Sequence, residues 1–208
     1  MKNFILKFKI FYRSYQKLIR KNHDDYKFIE YIFSQNGKAY VLDLCCGDSY
    51  VLNYINENVL DYIGIDNNIN YLESSRLKYP TFKFINSDLE NIDKILKLEN
   101  KKIDFIFLNG AIHHLNDKVV LNLFTYLEHK YPKAKFLTID PVIDKNKYLN
   151  RLMIKFDRGN FIRNIADYEK IMKKFNYLIT DDFFRMSFKL IFHYKNFDLK
   201  QIYNNWKK

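Results

Sequence analysis

Five short apolar runs alternate with helical segments through the middle of the chain, and this rhythm leaves few folds open. The runs cover 39–45, 62–66, 82–86, 103–108 and 134–139. They are largely apolar rather than strictly alternating, the pattern of strands buried on both faces of a parallel sheet. Helical patterns at 50–57, 69–78, 92–98 and 118–129 separate them. Strand, helix, strand in that order implies right-handed crossovers and a doubly wound α/β sheet. After a further helix at 166–175, the runs 177–179 and 188–194 read as closing strands, which brings the sheet to seven, mostly parallel.

Ahead of the first strand, Phe4, Ile5, Phe8, Phe11, Tyr12, Tyr15, Leu18 and Ile19 repeat at spacings of three and four. This predicts an amphipathic helix over 4–20, with Lys7, Lys9, Arg13, Lys17 and Arg20 on the other face. It is read as a cap packed on its own domain; a basic face of this kind also suits a membrane surface. A second helix over 25–35 stops at Asn36-Gly37. No repeat or linker interrupts the chain. One domain over 1–208 is expected, with cap helices at 1–36, a binding core at 39–140 and a segment at 141–208 that flanks the site and closes the sheet.

Bulk properties exclude more than they assign. No stretch reaches the roughly 18 uncharged apolar residues of a membrane helix, and Lys7 and Lys9 break the apolar N-terminus, which is read as retained. The two cysteines, Cys45 and Cys46, are adjacent, so no disulfide framework is expected and a reducing cytoplasm fits. The net charge of +11 raises a nucleic-acid partner. The lysines are spread along the chain rather than gathered in a stripe, so this reading is not favoured.

In doubly wound sheets ligands bind beyond the carboxyl ends of the strands. The first such loop, Asp43-Leu44-Cys45-Cys46-Gly47-Asp48-Ser49, is built from small and acidic residues that let a backbone approach a ligand. Asp66 closes the second strand, where a carboxylate can accept both ribose hydroxyls, with Asn67 beside it. Asp88 and Leu89 follow the third strand, one step out along the sheet, where an adenine amino group would lie. Asn109 ends the fourth. A dinucleotide site needs G-x-G-x-x-G for its pyrophosphate. One glycine and two acids, Asp43 and Asp48, suit instead the ammonium group of a methionine tail. The expected ligand is S-adenosylmethionine, leaving as S-adenosylhomocysteine, held by Asp43, Cys45, Gly47, Ser49, Asp66, Asn67, Asp88, Leu89 and Asn109.

At these residues the chain resembles the class I S-adenosylmethionine-dependent methyltransferases. Val41-Leu42-Asp43-Leu44-Cys45-Cys46-Gly47 is similar to their first motif, Tyr62-Ile63-Gly64-Ile65-Asp66 to the second and Asn86-Ser87-Asp88-Leu89 to the third. The stretch from Asp104 to Leu115, ending Ala111-Ile112-His113-His114-Leu115, is similar to the fourth as found in the small-molecule branch. The N-terminal helix and Asp157-Arg158-Gly159-Asn160-Phe161-Ile162-Arg163 resemble a group of small stand-alone bacterial members, some associated with surface polysaccharides. The resemblance implies a Rossmann-like fold with an N-terminal capping helix and methylation of a small molecule, such as a sugar hydroxyl of a polysaccharide precursor. An RNA methyltransferase is the alternative. Cys45 and Ser49 replace family glycines. A positive φ at either would cost roughly 1 kcal/mol or more, so a catalytically weak binding domain is a third reading.

Methyl transfer from a sulfonium is an in-line displacement that depends on alignment, and a hydroxyl acceptor also profits from a base. His113 or His114, after the fourth strand, is the candidate base, with Asp140 as second candidate or orienting partner; both histidines can equally serve to shape the pocket. Arg158 and Arg163 have the guanidinium forks to hold a phosphorylated or nucleotide-linked sugar, or else pair with Asp157 and Asp167. Tyr12 is placed over the site by the cap. The scattered histidines give no metal spacing, so no metal is expected.

Overall fold

A computed structural model describes residues 24–97, 101–144, 150, 154–155, 157, 159–180 and 190–208. The predicted helix over 4–20, with Tyr12, lies outside the described residues, as does Arg158.

The strands are β1 (Ala39–Leu44), β2 (Val59–Asp66), β3 (Lys83–Asn86), β4 (Phe105–Asn109), β5 (Lys135–Pro141), β6 (Leu178–Thr180) and β7 (Leu190–Lys195). They form one sheet in the order β3-β2-β1-β4-β5-β7-β6. β1 to β5 are mutually parallel, and β7 runs antiparallel to both β5 and β6. This is the mostly parallel, seven-stranded, Rossmann-like sheet that the alternating runs predict.

Helices cover both faces, which is why the strand runs are apolar without alternation. On one face lie α1 (Asp24–Ser34), α2 (Leu52–Ile55) and α3 (Ile69–Lys78). They pack against Val41, Phe105, Phe107, Leu137 and Phe192. On the other lie α4 (Ile92–Lys97), α5 (Asp117–Lys130) and α6 (Ile165–Met172), against Leu42, Ile63, Ile106, Leu108 and Phe136. α5 shows how the sequence does this. Asn116 caps it by accepting from the Val119 N–H at 3.0 Å, and Val120, Leu123, Phe124 and Leu127 recur on one face, all buried. Each such side chain contributes roughly 1.5–3 kcal/mol over leaving it in water.

Two departures from the sequence reading stand out. The helix expected at 50–57 is only four residues of α-helix, followed by a 3-10 turn, Asn56–Asn58. An eight-residue helix that the sequence reading leaves out follows β7: α7 (Leu199–Trp206), capped by Asp198, whose side chain accepts from Gln201 N at 2.9 Å. Its Tyr203 and Trp206 rings lie 5.2 and 5.3 Å from that of Phe28 in α1.

Candidate active site

Because β1 to β5 are parallel, their carboxyl ends share one edge, and the loops leaving them are tied together there. The Cys46 N–H extends the β1–β2 ladder by donating to Ile65 O at 3.1 Å. Asp66, half-buried, is the knot. Its Oδ2 accepts from Gly47 N at 2.9 Å and its Oδ1 from Asn68 N at 2.8 Å, while its carbonyl accepts from Ser87 N at 3.0 Å. A carboxylate oxygen can take more than one donor, so the loops after β1, β2 and β3 are held together with acceptor capacity left over. Asp88 is exposed and caps the 3-10 turn Leu89–Asn91 through Glu90 N at 3.0 Å. Leu89 is buried beneath it, Asn67 is exposed beside Asp66, and Asn109 ends β4 half-buried.

The β1 loop turns by left-handed residues at alternate positions: Cys45 at φ 59°, Gly47 at 56° and Ser49 at 52°. Only the middle one is glycine. A residue with a Cβ in this region pays about 1–2 kcal/mol, so Cys45 and Ser49 keep the glycine geometry against their own preference. Both thiols of the pair are pushed up by burial, with nearby carboxylates adding to the effect, and are therefore poor nucleophiles.

Asp43 does not stand on the rim. It is buried, and its Oδ2 accepts from the Tyr62 hydroxyl at 2.5 Å. Burial raises its carboxyl to about 7, against the lowering effect of the Tyr62 hydrogen bond. The placement of three acids around the ligand is thereby corrected to two, Asp66 and Asp88, with the third under the loop.

On the far side of the rim, the 3-10 turn Ile112–His114 leaves β4. His113 is buried and His114 exposed, their rings 4.2 Å apart. Asp140 at the end of β5 faces His113: its Oδ1 lies 2.9 Å from Nδ1 and 3.2 Å from the His113 backbone N–H. On the other side of the ring, Asp157 Oδ1 lies 3.3 Å from Nε2. Burial disfavours the charged ring, but the two carboxylates outweigh it and raise His113 to about 9. Raised in this way between the two carboxylates, the ring is held charged at neutral pH and is a poor acceptor for a substrate proton. The expectation of His113 as base is corrected on this geometry.

A "Methyltransferase domain" family profile matches residues 41–141. These residues form a methyltransferase domain. No curated protein is similar enough in sequence to be matched to the chain. Solved structures share the fold at low identity. An S-adenosylmethionine-dependent methyltransferase from Clostridium acetobutylicum superposes with a TM-score of 0.66 at 15% identity, covering 90% of this chain and 97% of its own. The plantazolicin methyltransferase BamL gives 0.65 at 14%, covering 94% of each chain. A TehB-like methyltransferase from Corynebacterium glutamicum gives 0.62 at 12%, over 89% and 95%.

Beyond this domain the remaining expected site residue, Arg163, is buried rather than presented to an acceptor. Its guanidinium donates to Asp117 Oδ1 from Nε at 3.0 Å and Nη2 at 2.6 Å. The other bonds go to the carbonyls of Ile112, Phe161 and Leu115. The five donors of a guanidinium are thus engaged within the protein. Arg163 pairs with neither Asp157 nor Asp167, as an ion-pair reading had it. Three contacts that the sequence reading did not anticipate matter here: Tyr62 under Asp43, Asp157 on His113 and Asp117 on Arg163. Among the described residues no group of three or more His, Cys, Asp or Glu side chains is placed to hold a metal ion, and no helix is long and apolar enough to cross a membrane.

Proposed function

We propose that this methyltransferase methylates a hydroxyl of a small molecule, with a sugar of a surface-polysaccharide precursor as the acceptor class. The observation that carries the reading is the placing of the two histidines after β4. His113 is locked between carboxylates, whereas His114 is exposed one residue on. His114 is then the base that takes the hydroxyl proton on an imidazole nitrogen. Asp140 is the partner of His113 and acts on His114 only through it.

The donor side of the proposal uses Gly47, Asp66, Asn67, Asp88, Leu89 and Asn109, with Cys45 and Ser49 shaping the loop. The fit rests on Asp66: each oxygen accepts one backbone N–H and keeps a lone pair for a ribose hydroxyl. S-adenosylmethionine supplies an electrophilic methyl on a sulfonium. The protein supplies alignment of the acceptor and a place for its proton. Two proteins of this fold, DhpI and BamL, have been solved with S-adenosylmethionine and S-adenosylhomocysteine respectively. With Arg163 engaged, a phosphate on the acceptor would be met by Arg158.

Calorimetry with S-adenosylhomocysteine tests the donor side. Asp66→Ala is expected to abolish binding, and unchanged affinity would overturn the assignment. For the acceptor, transfer of labelled methyl is measured over free sugars, nucleotide-linked sugars and RNA. The expected turnover is with the sugars, and His114→Ala should slow it by roughly 10²- to 10⁴-fold at unaltered cofactor affinity. Turnover on RNA alone, with affinity falling steeply as salt rises, would favour the nucleic-acid reading that the net charge of +11 suggests.

A further inference from the structure

His113 sits where one segment of the chain is fastened to the rim, and every polar atom it has is used in the fastening. Its Nδ1 and backbone N–H face Asp140 on β5, its Nε2 faces Asp157, and its carbonyl accepts from Phe161 N at 2.9 Å. Asp157 Oδ1 also accepts from Gly159 N at 2.6 Å, so one carboxylate oxygen turns its own loop and meets the ring. Gly159 lies so close that a Cβ there would come within 2.1 Å of His113 Cδ2 and 2.8 Å of its carbonyl oxygen. No side chain fits in that gap. At the far end of the same segment, Arg163 bonds the carbonyls of Ile112 and Leu115, on either side of the two histidines. Ile143 N donates to Arg163 O at 3.0 Å, which ties the segment to the chain leaving β5.

We propose that His113 is the positioning residue of the acceptor side: an imidazolium that clamps segment 157–163, through Asp157, to the end of β5, through Asp140. The clamp rests on the reading of this edge as the methyl-transfer site, but its geometry concerns only this chain. It sets the segment, with its Phe161 41% exposed, beside exposed His114. The charged groups around the ring are Asp140 from β5, Asp157 from the segment and His114 from the same turn. Arg163 is further along the segment, with Asp117 of α5 as its own counter-charge. Two carboxylates against one imidazolium favour the protonated ring, in line with its rise to about 9. The clamp is therefore closed at neutral pH and opens as the ring loses its proton.

The test uses the full chain with S-adenosylhomocysteine and no acceptor. Nitrogen-15 NMR of the histidine rings should show both ring nitrogens of His113 protonated at pH 7. Hydrogen exchange of the Phe161 amide should be slow there, and should lose protection near pH 9 beyond what the amides of β1 lose. Asp157→Asn keeps the shape but removes one counter-charge. It should lower the pH at which the ring titrates and speed exchange of Phe161 about tenfold or more, with the S-adenosylhomocysteine affinity kept. His114→Ala should leave the exchange as in the wild type. His113→Asn, if it folds, should expose the segment at every pH. A neutral His113 ring at pH 7, or an Asp157→Asn protein with unchanged Phe161 exchange, would overturn the clamp while leaving the cofactor assignment intact. Loss of S-adenosylhomocysteine binding in the wild type would instead overturn the methyl-transfer reading of the edge.

Discussion

Cys45 and Ser49 hold left-handed backbone at φ 59° and 52° without being glycine. The loop shape is imposed from outside them: Gly47 N is tied to Asp66, and Ser49 N donates to Cys46 O at 2.9 Å. Relieving the strain is therefore expected to stabilise the protein. Cys45→Gly should gain about 1 kcal/mol, partly offset by the entropy of glycine in the unfolded chain. In a chain of this size that raises the melting temperature by up to roughly 2–4 °C, read by thermal unfolding. A lower melting temperature would mean that the Cys45 side chain contributes more by packing than its backbone costs. The positions were legible in the sequence as departures from a glycine pattern. The hydroxyl of Tyr62 under Asp43 was not, because Tyr62 reads as one more aromatic in an apolar strand, and only the parallel register with β1 brings the two together.

At the scale of elements, segment 157–163 acts as a brace whose two fasteners are His113 and Arg163. The sequence marked both residues as functional and Asp140 as an orienting partner of the histidines, but it did not place Asp157 on His113 or Asp117 on Arg163. Side-chain chemistry can be read locally, but a partner 46 positions away, as Asp117 is from Arg163, is set by how the elements pack on the sheet. The central strands were legible because they are buried on both faces, whereas the edge strands β3 and β6 are only partly buried. α7 was legible too, from Asp198 and the spacing of Leu199, Ile202, Tyr203 and Trp206, yet it follows the last strand and adds nothing to the alternating rhythm. If the brace holds, Arg163→Met should leave the carbonyls of Ile112, Leu115 and Phe161 without their donor and loosen the segment. A loss of about 3 kcal/mol is expected from breaking a buried, charge-assisted network, measured by denaturant unfolding. A loss below about 1 kcal/mol would show that water replaces the guanidinium and that the segment is not braced there.

For the whole molecule, three buried groups set how stability follows pH, and they pull in different directions. His193, fully buried in β7 with its Nδ1 2.7 Å from Thr138 Oγ1, is pushed down to about 3 by burial, with the Arg163 charge adding to it. Its folded pKa lies below the ordinary 6.5, so its contribution is present above pH 6.5 and is lost as pH falls toward 3. His113 is the opposite case: raised to about 9, it stabilises in full below pH 6.5 and loses that contribution as pH rises through 9. Asp43, raised to about 7, also favours the acid side, since its buried carboxylate becomes costly as pH rises from 3.8 through 7. On the acid limb, then, His193 and Asp43 oppose one another, and a shallow slope in the wild type hides two steep ones. Substituting one group at a time separates them. His193→Gln removes the proton uptake of the unfolded chain and should raise the relative stability at pH 4.5 against pH 7, by up to about 1.4 kcal/mol per pH unit. Asp43→Asn, which keeps an acceptor for Tyr62, should do the reverse and steepen the loss toward acid. Urea unfolding at pH 4.5, 5.5 and 7 distinguishes the two. Parallel slopes in wild type and His193→Gln would mean that His193 takes up a proton in the folded protein, and that the interior beneath β5 and β7 is wetter than its burial implies.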